Sequence, residues 1–118
     1  LGAEASQADR DRLQQMRAQW QMRVEQTIDG YDALVMPTVP IVAPKIDTLN
    51  ASETNFFEAN RLLLRNPSII NLLDGCAVSL PIHRPGDLPV GLMLACTAML
   101  DAHLLSIALA IESHFGTL

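Results

Sequence analysis

Positive charge is scarce in this chain. Eight Lys and Arg stand against thirteen Asp and Glu, a formal net charge of −5, and Lys45 is the only lysine. Nucleic-acid binding rests on many phosphate-neutralising cations, so no such partner is expected. No run of ~18 apolar residues occurs, which leaves no candidate membrane-spanning helix and no expected membrane partner. No basic-then-apolar leader opens the chain at Leu1, and the expected location is cytoplasmic. Only two cysteines are present. Cys76 and Cys96 each lie in or beside an apolar run, where buried free thiols are expected rather than a disulfide. There is no internal repeat and no low-complexity linker.

What is present is apolar. Of 118 residues, 49% are hydrophobic and only 18% charged, which argues against disorder and for a substantial core in one modest domain. Residues 5–29 read as one long helix in which Leu13, Met16, Trp20, Val24 and Ile28 form a single apolar stripe and Gly30 is the stop. That stripe packs on a sheet or meets a partner protein. Residues 33–36 read as a short buried strand stopped by Pro37. Residues 38–50, with Pro40, Pro44 and Lys45, read as an extended loop suited to the rim of a pocket. Ser52 is a candidate cap for a helix through Phe56, Phe57, Leu62, Leu63 and Leu64. Its apolar residues cover more than one face, so it is either deeply buried or set against an absent partner.

The stretch from Asn66 to Ala95 organises the rest. Asn66 is a candidate cap, Pro67 fits a first helical turn, and Gly75 sits where a helix stops. Apolar runs at 77–82 and 90–95 flank the turn His83-Arg84-Pro85-Gly86-Asp87, a hairpin signal. Neither run alternates cleanly, so both faces of the ribbon are expected to be covered. A last helix, with Asp101 as its cap, presents Leu104, Leu105, Ala108, Ile111 and Phe115. The pattern is α/β: a mixed β-sheet flanked by helices.

Few residues suggest chemistry by themselves. His103 and His114 fall on one predicted helix, roughly 16 Å apart by helical rise, too far to share a metal. His83 lies in the hairpin turn. Ser79, His83 and Asp87 could be nominated as a triad, but Ser79 is expected to point from a buried strand, and no G-x-S-x-G elbow surrounds it. Met36, Met93 and Met99 read as ordinary core.

Three segments together carry a family resemblance. Asp74-Gly75-Cys76-Ala77-Val78-Ser79-Leu80-Pro81 followed by Leu88-Pro89-Val90-Gly91-Leu92-Met93-Leu94 resembles the C-terminal part of amidase signature enzymes, N-x-x-G-x-P-A-x-S-x-P, a turn, then G-L-P-V-G-L-Q-L. Tyr31-Asp32-Ala33-Leu34-Val35-Met36-Pro37-Thr38, with Pro40 and Ala43-Pro44, is similar to the family's D-x-L-x-x-P-T-x-P-x-x-A-P. Asp101-Ala102-His103-Leu104-Leu105 to Glu112 is similar to its closing helix. The chain departs from the pattern at Asp74, at Gly75-Cys76 and at Leu88.

The resemblance implies a C-terminal piece of the amidase signature fold, residues 1–118 forming a single segment with the long helix at 1–29 and the α/β part, with its hairpin at 77–95, at 31–118. It implies an amidohydrolase of linear amide C–N bonds, with no cofactor, in which a serine nucleophile, a second serine bonded through a cis peptide and a lysine base do the chemistry. A serine hydroxyl needs such a base, and the developing oxyanion needs fixed donors. This chain has no Ser-Ser pair and no Gly- and Ser-rich loop. Its expected catalytic residues are therefore none, and its expected partner is the N-terminal part of the amidase. Its expected share is to complete the sheet and wall one side of a cavity for a small-molecule amide, with Thr38, Asn66 and Asn71 as substrate-binding candidates. The other reading is a non-catalytic interaction module. On either reading exposed sheet edges favour a homo-oligomer.

Overall fold

The computed structural model describes residues 5–115, divided into two compact units, Leu1–Tyr31 and Asp32–Leu118. Leu1 and the side chain of Phe115, both used in the sequence reading, lie outside the described residues. No helix among them is long and apolar enough to cross a membrane.

The first unit holds helix α1, Gln7–Ile28. Its start is a capping box. Ser6 Oγ accepts from the Asp9 amide at 3.2 Å, while Asp9 Oδ2 accepts from the Ser6 amide at 3.0 Å and from its hydroxyl at 2.6 Å. Gly30, at φ +85°, ends the element as its position suggests, and the Tyr31 amide donates back to the Ile28 carbonyl. No residue of α1 is buried. Along its apolar stripe Leu13 and Met16 are exposed, whereas Trp20, Val24 and Ile28 are half-buried.

The Ser6 hydroxyl, and then its backbone amide, hold the Asp9 carboxyl below its ordinary 3.8. A depressed carboxylate stabilises fully above its unfolded value, and that contribution fades as pH falls through the lower folded value. Helix content measured by circular dichroism is therefore expected to decline on acidification below pH 3.8. In Ser6→Ala it starts lower, and the acid-dependent part shrinks.

The second unit runs β1 (Leu34–Pro37), α2 (Ile46–Asn50), α3 (Glu53–Leu73), β2 (Cys76–Pro81), β3 (Gly91–Cys96) and α4 (Asp101–Phe115). Ser52 caps α3 as expected, its Oγ accepting from the Asn55 amide at 3.1 Å. Two expectations fail here. The 38–50 loop is not wholly extended, because its last residues form α2, tied to α3 by Asn55 Nδ2 donating to the Thr48 carbonyl. Nor does Asn66 start a second helix: α3 continues through Asn66 and Pro67 to Leu73. An interior proline forfeits a helical hydrogen bond and costs about 3 kcal/mol relative to alanine. Burial of Asn66, Ile70 and Leu73 on one side of the following turns offsets that loss. The left-handed residue that ends α3 is Asp74 (φ 58°) rather than Gly75. Gly75 answers a different need, since a Cβ there would run into the Cys96 carbonyl oxygen.

The α/β class holds, and the three strands pair antiparallel in the order β1-β3-β2. Cys76 lies opposite Cys96 and Pro81 opposite Gly91; Leu34 lies opposite Ala95 and Pro37 opposite Leu92. Helix α4 covers one face, where Leu104 and Ala108 meet Leu80, Leu94 and Cys96, with Val78, Ile107 and Ile111 around them. Helix α3 covers part of the other, where Ile70 meets Met93 and Ala95 beside Leu34 and Met36. Central β3 is therefore covered on both faces, and this is why its sequence does not alternate. The same expectation fails for β2, whose Ala77, Ser79 and Pro81 are exposed. Apolar sequence does not create cover where no element packs.

Pro37 and Pro81 fall where strands can tolerate them. The Thr38 amide donates to the Gly91 carbonyl and the Ile82 amide to the Val90 carbonyl, so each proline occupies the alternate position, its missing N–H directed at the open edge. At α4 the Leu104 amide donates to the Leu100 carbonyl, which places Asp101 in the first turn rather than at the cap. Leu105 and Met99, expected in the core, are exposed.

Candidate functional site

Polar groups gather where β1 ends. The Thr38 hydroxyl lies 2.5 Å from Ser79 Oγ, and Asn66 Nδ2 donates to the Pro37 carbonyl at 2.7 Å. Asn66 is the one buried polar residue among those described, only 7% exposed, and Arg65 Nε donates to its Oδ1 at 3.4 Å. Its amide therefore fixes the strand end to α3. Two of the three candidates, Thr38 and Asn66, thus converge on one backbone step. Asn71 does not join them: five positions along the helix, it sits on the exposed side, with its carbonyl accepting from the Asp74 amide.

Beside this step lies an open apolar cleft of about 230 Å³, lined by Pro37, Val39, Pro40, Ile41, Val42, Pro89, Val90 and Gly91. The proline-rich loop after β1 and the hairpin turn before β3 make its two sides. Pockets that enclose a drug-sized ligand span about 300–1,000 Å³, so this is one wall's worth of cavity.

Sequence reasoning missed Ser79 as a member of this group because it placed the serine on a covered face. The register supplies the lost signal: Ser79 lies opposite Met93, two pairs in from Gly91, whose carbonyl accepts from the Thr38 amide. The nominated triad does not form. Ser79 faces Thr38, while His83 Nδ1 accepts from the Val90 amide at 3.4 Å and Asp87 is held by its own amide in the turn. Lys45 is exposed at the start of α2, where its carbonyl accepts from Thr48 and Leu49.

The remaining histidine and thiol contacts are structural. Cys96 Sγ donates to the Asp32 carbonyl at 3.3 Å, and His103 Nε2 lies 3.2 Å from the same oxygen. Burial, and then the neighbouring Cys76, push the Cys96 thiol up, which keeps its proton available for that bond. Both cysteines are free, and no group of three His, Cys, Asp or Glu able to hold a metal occurs among the described residues.

Known proteins match the same region. Residues 1–105 match the Amidase family. The chain is 37% identical over 89 residues to 2-amino-5-chloromuconic acid deaminase of Comamonas testosteroni, covering 75% of this chain and 19% of that protein. It is 30% identical over 95 residues to the A subunit of glutamyl-tRNA(Gln) amidotransferase from Saccharolobus solfataricus, covering 80% and 19% respectively. The corresponding protein of Salinispora arenicola is 36% identical over 85 residues, 72% of this chain and 16% of that protein. No solved structure matches. The chain thus spans about a fifth of the length of the curated relatives it matches.

Proposed function

This chain belongs to the amidase signature family, and we propose that it is the C-terminal portion of an amidohydrolase acting on linear amide C–N bonds. In this reading residues 1–118 form a single segment, its hairpin of β2 and β3 completes the sheet, and the cleft beside Thr38 forms one wall of the substrate cavity. The serine nucleophile, its partner serine and the lysine base lie outside this chain. Thr38 faces substrate, Asn66 positions it through Pro37, and Asn71 offers an amide on the outer side of α3. The observation that carries the reading is the half-covered sheet: α3 leaves Ala77, Ser79 and Pro81 of β2 exposed, next to a cleft too small to enclose a substrate. Two free thiols fit a cytoplasmic setting.

Ammonia release from aliphatic and aromatic amides tests this. The purified chain is expected to release none. Co-expressed with the preceding part of a family relative that carries the Ser-Ser-Lys residues, it is expected to restore release. Turnover by the chain alone that disappears in Ser79→Ala or Lys45→Ala would overturn the reading.

A second reading, a non-catalytic self-associating module, is favoured by one observation. Phe57 and Leu64 on α3 and Leu105 and Leu109 on α4 are all more than half exposed. Light scattering tests it: this reading requires a stable homo-oligomer from the chain alone, and a monomer would remove it.

A further inference from the structure

The contact between Thr38 and Ser79 joins the two outer strands across the end of the central one, and Gly91 makes it possible. A Cβ at residue 91 would stand 2.5 Å from Ser79 Oγ and 2.6 Å from Thr38 Oγ1. Stability does not account for this arrangement. A solvent-accessible bond between two hydroxyls gains little over the bonds each makes with water. Glycine inside a strand gives up side-chain packing and costs backbone entropy. The sheet therefore holds a weak residue at the register position that leaves room for a solvent-accessible pair of hydroxyls.

The chemistry of that pair is specific. When one hydroxyl donates to the other, the accepting hydroxyl keeps its own proton for a third group. Donation into a bonded pair polarises that remaining O–H. Two neutral hydroxyls suit a neutral carbonyl oxygen, whereas a carboxylate is better met by a guanidinium fork. Gly91 and Pro37 also line the apolar cleft, so an acceptor at the pair would have apolar surface beside it.

We infer that Thr38 and Ser79 form a carbonyl-binding subsite, with the cleft of Pro37, Pro40 and Val90 taking the apolar part of the same ligand. This deepens the amidase reading and rests on it for the ligand's identity as an amide. Ser79 becomes a substrate-binding residue, and Gly91 a positioning residue that acts by having no side chain.

The probe is benzamide, with toluene as the same ring without a carbonyl, followed by amide chemical shifts of the 118-residue chain. Benzamide is expected to move the Thr38, Ser79 and Gly91 signals, and toluene only those of the cleft. Ser79→Ala and Thr38→Val are each expected to weaken benzamide binding about 3- to 10-fold. Ser79→Thr, which keeps the hydroxyl, restores it, and the double variant binds no worse than either single one because the pair acts as a unit. Identical shifts with benzamide and toluene, or unchanged benzamide affinity in both single variants, would overturn the subsite. Binding is read without turnover, so the ammonia assay can fail while this test succeeds, and the reverse.

Discussion

Leu94→Ala is expected to lower the stability of the second unit by about 2–5 kcal/mol, the range for truncating a large buried aliphatic side chain. Among the described residues Leu94 is the largest fully buried side chain, at 0% exposure, in the central strand beneath α4. Its neighbours cannot readily close the gap. Val78 opposite it is fixed by the β2 ladder, and Leu104 and Ala108 are fixed on α4. Urea unfolding should show a lower midpoint with an unchanged slope. A loss under about 1 kcal/mol, the cost of a tolerated swap, would mean that α4 does not seat on this face as described.

Asn66→Ala is the second large effect. It removes the donor that satisfies the Pro37 carbonyl inside a helix–strand contact, which costs about 1–3 kcal/mol. Asn66→Asp is more diagnostic. The new carboxylate would be buried against a carbonyl oxygen, which raises its folded pKa, because burial and the acceptor both disfavour the charge and outweigh the solvent-screened Arg65 guanidinium 3.4 Å away. A raised value contributes stability below the unfolded pKa and loses it as pH rises through the folded one. Denaturation of Asn66→Asp is therefore expected to be hardest in acid, and the difference from Asn66→Ala should invert between acid and neutral pH. Equal curves for the two variants at both pH values would remove Asn66 from its assigned contact.

These two residues also show how far the sequence reaches. Leu94 sits in an apolar run bounded by a Pro- and Gly-containing turn, and that pattern places both hairpin strands to within a residue. Ser52 and Gly30 are legible because capping and helix termination depend on neighbours a few residues away. Asn66 misleads for the opposite reason. Asn-Pro is a strong local signal for a helix start, and what carries α3 past it is long-range: the contact of Asn66 with residue 37 and the burial of Ile70 and Leu73. The Thr38–Ser79 pair is hidden similarly: the sequence singles out Thr38 as a candidate, but the apolar run around its partner points to a covered face. Which face of an edge strand is covered depends on the elements that pack there, and periodicity does not report them. Leu105 fails by the same route, its helix turning Ile107 and Ile111 to the sheet instead.

The strand order has a consequence for the chain as it is made. Strands β1 and β2 share no ladder; within the described residues each pairs only with β3, the last of the three to leave the ribosome. Until Gly91–Cys96 emerges, neither earlier strand has its partner from among the described residues, and Leu34 must wait for Ala95. A nascent chain stopped in the hairpin turn would hold helices but no sheet, with the apolar faces of two strands open to other chains. Such late, long-range closure slows folding and prolongs exposure to aggregation. Translation pauses before residue 91 should therefore be more harmful than equal pauses after residue 96.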